Sequence, residues 1–215
     1  VHSWSGGAGG GEAGGRKRGV GGLGRGRGGR GVGAGEAGRV AGASTVVVRA
    51  EKVAALELSR QLGADVVVDA KRDDPLQVLH ELTNGRGADV VIEAAGGPPE
   101  QGLGGTSTLD QAASAVRDGG TVVGLALYGE GTFLPYSQFR HRSIRYVFPA
   151  PTTRSLMLYV VSLVSTGRIA IAPAITTILE GIDCVPRAFQ ITADKIGSTL
   201  INPAQVVIGQ ATDTS

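Results

Sequence analysis

The chain has 215 residues, 41% of them apolar, which suffices for one domain with a sizeable core. Its single cysteine, Cys184, excludes an internal disulfide and any multi-cysteine zinc site within the chain. The formal net charge of +2 conceals an asymmetry: residues 1–44 carry seven Arg and Lys against Glu12 and Glu36, a net of +5, so the remainder sums to −3 and implies no polyanion as partner.

Nineteen of the 36 glycines fall within residues 1–44, where the only larger apolar residues are Val1, Trp4, Val20, Leu23, Val32 and Val40. Residues 1–41 are therefore expected to form a Gly/Arg-rich, low-complexity, disordered head. The pattern G-x-G-x-x-G recurs in it, at Gly9/Gly11/Gly14, Gly19/Gly21/Gly24, Gly26/Gly28/Gly31 and Gly33/Gly35/Gly38. Such a pattern has meaning only between a strand and a helix. Neither is expected here, because Arg16-Lys17-Arg18 is no buried strand and Gly33, Gly35 and Gly38 oppose a helix. Only Gly26/Gly28/Gly31 leaves a helix-length interval before Gly42-Ala43-Ser44-Thr45, so this copy is the candidate phosphate-binding turn. Two other readings stand beside it. The run from Gly24 through Arg25, Arg27 and Arg30 to Gly31 has the composition of an RNA-binding arginine-glycine segment, and the whole head also reads as a leader without function.

From Thr45 onward, short β-branched runs alternate with helical patterns, the signature of repeated βαβ units. Thr45-Val46-Val47-Val48 predicts a strand, residues 51–62 a helix stopped by Gly63, and residues 64–68 a second strand. A helix over residues 74–82 is capped by Asp73 or Asp74 with Pro75 in its first turn. Residues 89–93 predict a strand, 98–107 a long Gly/Pro loop, 108–116 a helix closed by Asp118-Gly119-Gly120, and 121–127 a strand. Further on come a strand at 143–148, an apolar helix at 153–164, an amphipathic helix at 184–193 and a short strand at 198–201. Residues 204–215 form a tail that frays from about Ala211. The near-continuous apolar strands imply a sheet covered on both faces.

Several phrases carry a family resemblance: Gly42-Ala43-Ser44-Thr45-Val46-Val47-Val48, Leu62-Gly63-Ala64-Asp65, Thr83-Asn84-Gly85-Arg86-Gly87-Ala88-Asp89, Arg117-Asp118-Gly119-Gly120-Thr121 and Ser165-Thr166-Gly167-Arg168-Ile169. In this order and spacing the chain resembles the cofactor-binding half of the zinc-type medium-chain alcohol and polyol dehydrogenases, especially the butanediol and sorbitol branch. The resemblance implies an α/β fold, a Rossmann-like doubly wound parallel sheet over residues 42–203, incomplete at its N-terminal βα unit. It also implies NAD as cofactor, with NADP as the alternative, and hydride exchange between nicotinamide and an alcohol carbon.

In that family zinc is held by an N-terminal β-rich domain, which nothing before Gly42 resembles, so neither catalytic residues nor zinc ligands are assigned to this chain. The implied role is the cofactor-binding part of such an enzyme, or alternatively a non-catalytic remnant of one. Counting back from Leu62-Gly63 places Ala50 where the family carries a ribose-binding acid. Glu51 is one residue off and can replace it if the turn is shorter, whereas Arg49 suits a 2′-phosphate. Glu51 can equally be a carboxylate favouring a helix N-terminus. At the ends of later strands, Ala95, Gly96, Gly124, Leu125 and Ala126 would face the cofactor. The resemblance also implies a homodimer through the sheet edge near residues 143–148.

His2, His80 and His141 are too dispersed to suggest a metal site, and no serine lies in a nucleophile-elbow pattern. The apolar helix at 153–164 is too short to span a bilayer, and no secretory h-region is present, which leads to the expectation of a cytoplasmic protein.

Overall fold

A computed structural model describes residues 18–22, 29–97, 105–130, 132–149, 151–175, 177–193 and 205–207. The β-branched runs become parallel strands. β2 (Ala43–Ala50), β3 (Val66–Asp69), β4 (Ala88–Glu93), β5 (Val116–Gly124) and β6 (Arg145–Val147) join β1 (Arg18–Gly22) in one sheet of order β3-β2-β1-β4-β5-β6. β1 is central and pairs in parallel with β2, Val20 opposite Val46, and with β4, Val20 opposite Val90.

Alternation along β2 feeds two layers. Val46 and Val48 lie on the face that carries α1 (Gly29–Val40), and Val47 joins a core with Val68, Val91, Leu79 of α3 (Pro75–Leu82) and Ala112 of α4 (Ser107–Ala115). α2 (Val53–Gln61) buries Ala55, Leu56 and Leu58 beside Ala50. This is the doubly wound arrangement, in which the chain winds outward from β1 to β3 and then returns to the other side of β1 to lay down β4.

The expected absence of a strand and helix in the head is corrected for Arg18–Gly22 and Gly29–Val40, which complete the N-terminal βα unit and extend the domain before residue 42. Residues 1–17 and 23–28 lie outside the described residues. Five of the twelve residues of α1 are glycine, each costing about 1 kcal/mol against alanine in a helix interior. Tertiary contacts offset this. A Cβ on Gly35 would stand 3.3 Å from Val48 Cγ2 and 3.5 Å from Val46 Cγ1, so glycine permits close approach to β2.

At the other end of α1, Arg39 donates to the carbonyls of Ala43 (3.2 Å), Ser44 (3.1 Å) and Gly63 (3.2 Å) and pairs with Asp65. Asp65 in turn accepts from the Val46 amide at 2.6 Å. Burial opposes the Asp65 charge, but the Val46 amide and Arg39 outweigh it and hold this carboxyl below the ordinary aspartate value. Glu36 Oε1 accepts from the Ala170 amide at 2.9 Å, tying α1 to the later part of the chain.

Other boundaries differ in detail. Asp74, not Asp73, caps α3 by accepting from the Leu76 amide at 2.9 Å. Asp118-Gly119-Gly120 does not close a helix: β5 already begins at Val116, and its pairing jumps from Ala88 opposite Val116 to Val90 opposite Thr121. The excursion is held by Arg142, which donates to the carbonyls of Ala113 and Val116 and to Asp118. α5 (Tyr136–His141), which sequence periodicity missed, inserts Phe139 into the core. After α6 (Arg154–Ser165), β7 (Ile178–Glu180) pairs in parallel with β8 (Gln205–Val207), and α7 (Val185–Ala193) precedes β8. The expected strand at 198–201, most of the loop at 98–107 and the tail from Ala211 lie outside the described residues. Among the described residues no helix is long and apolar enough to cross a membrane.

Gly33 of α1 has an ordinary φ and nothing within 4 Å of where a Cβ would stand. Gly33→Ala is expected to raise stability by about 0.5–1 kcal/mol in chemical denaturation, a gain that arises only if the helix forms.

Candidate functional site at the carboxyl edge of the sheet

In a doubly wound sheet the binding crevice lies beyond the carboxyl ends of the strands, where the winding reverses, here between β1 and β4. Of the glycine triplet singled out from the sequence, Gly31 lies in the first turn of α1, while Gly26 and Gly28 fall between β1 and α1 outside the described residues. A strand before the triplet and a helix after it are thus both present. Arg30 belongs to the same helical turn.

At the end of β2, Ala50 is buried against α2. Arg49 is also buried, 7% exposed, and its Nη2 lies 3.7 Å from Glu51 Oε1. Glu51 sits between β2 and α2, two residues before the helix begins, with a side chain 31% exposed.

One residue organises the ends of the next two strands. Glu93, the last residue of β4, is fully buried. Its Oε1 accepts from the amides of Ala95 (2.8 Å) and Gly96 (2.7 Å), while its carbonyl accepts from the amides of Leu125 (2.7 Å) and Ala126 (3.2 Å). Of the residues expected to face a cofactor, Ala95 and Gly96 are held by the Glu93 side chain, Leu125 and Ala126 by its carbonyl, and Gly124 stands opposite it in the strand pair. Among the described residues, Glu93 Oε2 has no hydrogen-bond partner.

Two phenols complete the edge. The ring of Tyr128 lies against Gly96, and the hydroxyl of Tyr146 against Gly124, in the space that a Cβ would need. Tyr128 Oη is 2.6 Å from Thr108 Oγ1, which can also donate to the Gly105 carbonyl at 3.1 Å. Either hydroxyl can supply the proton of the Tyr128–Thr108 contact, and the Glu93 carboxylate is a further neighbour of the Tyr128 hydroxyl. Burial pushes both phenols up from their ordinary value, and the Glu93 charge pushes in the same direction, so both hydroxyls stay protonated through the physiological range. Sequence reasoning missed Glu93, Thr108, Tyr128 and Tyr146. For Glu93 a signal existed, a carboxylate ending the otherwise apolar run Val90-Val91-Ile92.

Among the described residues no group of three or more His, Cys, Asp or Glu side chains could hold a metal ion, so this part of the chain does not fit a zinc centre. The edge does fit a dinucleotide: a strand and a helix flank the glycine triplet, small residues follow β4 and end β5, and among the described residues one buried carboxylate oxygen has no donor. Gly96→Ala would drive its Cβ into the Tyr128 ring and break the Thr108 contact. A loss of about 1–3 kcal/mol is expected, and a double-mutant cycle with Tyr128→Ala should recover most of it.

Comparison with known proteins agrees with this architecture. The family model described as zinc-binding dehydrogenase matches residues 29–148. An alcohol dehydrogenase of Cupriavidus necator is 28% identical over 139 residues, 62% of this chain and 35% of its own length. An alcohol dehydrogenase from Thermus sp. ATN1 superposes with a TM-score of 0.75 at 23% identity, covering 90% of this chain and 52% of that one. A zinc-binding dehydrogenase from Sinorhizobium meliloti 1021, solved bound to NADP, superposes with a TM-score of 0.68 at 25% identity, covering 90% and 54%. The chain spans about a third to a half of the length of these relatives. With its doubly wound sheet and a match over more than half of its residues, the chain belongs to the zinc-binding dehydrogenase family.

Proposed function

We propose that the chain is the cofactor-binding part of an NAD(P)-dependent alcohol or polyol dehydrogenase, and that it does not turn over alcohol on its own because the zinc centre belongs to another part of such an enzyme. The observation that carries the reading is the convergence of Ala95, Gly96, Leu125 and Ala126 on Glu93 at the carboxyl edge, next to the switch point.

The pyrophosphate would lie at the amino end of α1, where Gly26, Gly28 and Gly31 permit close approach and the helix dipole favours an anion. Glu51 would accept from the adenosine ribose hydroxyls. The segments that follow β4 and β5 would line the nicotinamide side of the crevice, and Glu93 fixes the spacing of their backbones. When bound, the nicotinamide supplies hydride transfer to or from a carbonyl carbon. A second copy would add at the open edge beyond β6.

We read NAD as the preferred cofactor. Arg49, the residue suited to a 2′-phosphate, is buried beside the Glu51 carboxylate, and that carboxylate opposes a further negative charge. NADP stands as the second reading, since the relative from Sinorhizobium was solved with it.

Fluorescence titration with NADH and NADPH tests this. NADH should bind saturably and about tenfold more tightly than NADPH, a difference of about 1.4 kcal/mol. Glu51→Gln should narrow the gap. No NADH binding up to about millimolar concentration, equivalent to about −4 kcal/mol, would count against a working site.

A further inference from the structure

Glu93 is the one carboxylate at the carboxyl edge that the proposed function uses only through its backbone-holding role. Its side chain is fully buried, with Val91, Ile92, Ala94, Ala95 and Ala126 also buried in the adjoining segments. One oxygen is committed to two amides, and the other has no hydrogen-bond partner among the described residues. In such apolar surroundings a charge is poorly screened and acts at longer range than at the surface. The hydroxyls of Tyr128 and Tyr146, which come from different segments of the edge, both neighbour this side chain, and after burial itself the Glu93 carboxylate is a cause that pushes each phenol up.

The nicotinamide ring carries a positive charge in NAD⁺ and none in NADH, so a fixed buried anion at this edge interacts differently with the two. We propose that Glu93 sets the preference of this chain between the oxidation states of the dinucleotide, its carboxylate favouring the cationic ring of NAD⁺ over the neutral ring of NADH. The inference rests on the dinucleotide reading of the edge and adds a residue that tunes the redox balance of binding.

The test is the ratio of the NAD⁺ and NADH dissociation constants, NADH measured by fluorescence titration and NAD⁺ by its competition with NADH. The full chain is compared with Glu93→Gln, which keeps the volume and one amide-accepting oxygen. Glu93→Met serves as a second neutral variant should the first not melt cooperatively, and Glu93→Asp as the charged control. A merely structural role moves both constants together and cancels in the ratio. Loss of the charge is expected to shift the ratio about tenfold toward NADH, equivalent to about 1.4 kcal/mol, with Glu93→Asp staying near the unsubstituted ratio. A ratio unchanged within about twofold in a neutral variant that still binds both ligands would overturn the inference alone, since 1.4 kcal/mol is tenfold. Failure of the unsubstituted chain to bind NADH would remove the dinucleotide reading and this inference together.

Discussion

Backbone pairing on both sides of β1 holds the six strands in one sheet. β1 is five residues long and three of them are glycine, yet among the described residues it is the strand that joins β2 to β4. Without it, β2 and β3 have no strand pairing to β4, β5 and β6 among the described residues. The switch point depends on the same strand, because a reversal of winding exists only where β1 separates the two halves. The helix that follows is held by what surrounds it, chiefly Gly35 against Val46 and Val48 and the Arg39 clasp on Asp65, Gly63 and the start of β2.

The carboxyl edge shows a second dependence on one residue. Glu93 joins two strand ends by accepting four backbone amides, two on its side chain and two on its carbonyl. The phenols of Tyr128 and Tyr146 occupy the space left by Gly96 and Gly124, so the small residues and the large ones specify each other. A charged group buried so completely is costly unless compensated by hydrogen bonds, and two of the four supply that for one oxygen.

Most of the sheet was legible in the sequence because β2, β3, β4 and the Thr121-Val122-Val123 part of β5 are rich in β-branched apolar residues, a pattern that suits a strand covered on both faces. β1 and α1 were not. Arg18, Gly19, Gly21 and Gly22 have poor strand propensity, and the glycines of α1 oppose a helix, so local preference pointed away from the fold and tertiary context overrode it. The start of β5 was misplaced because Gly119 and Gly120, which resemble a helix stop, serve an irregular stretch of that strand. At the site, the small residues ending β4 and β5 followed from the family resemblance. Tyr128 and Tyr146 could not be found, because only the three-dimensional approach of their segments to Gly96 and Gly124 gives them a role.

The central position of β1 makes the glycine-rich segment a structural part of the domain, and removal of residues 1–40 tests that most directly. Thermal and urea unfolding of the shortened chain, followed by circular dichroism, should show loss of the cooperative transition or a stability lower by several kcal/mol, since a strand, a helix and both faces of β1 pairing disappear together. A shortened chain that unfolds with the same midpoint and cooperativity as the full one would contradict the account.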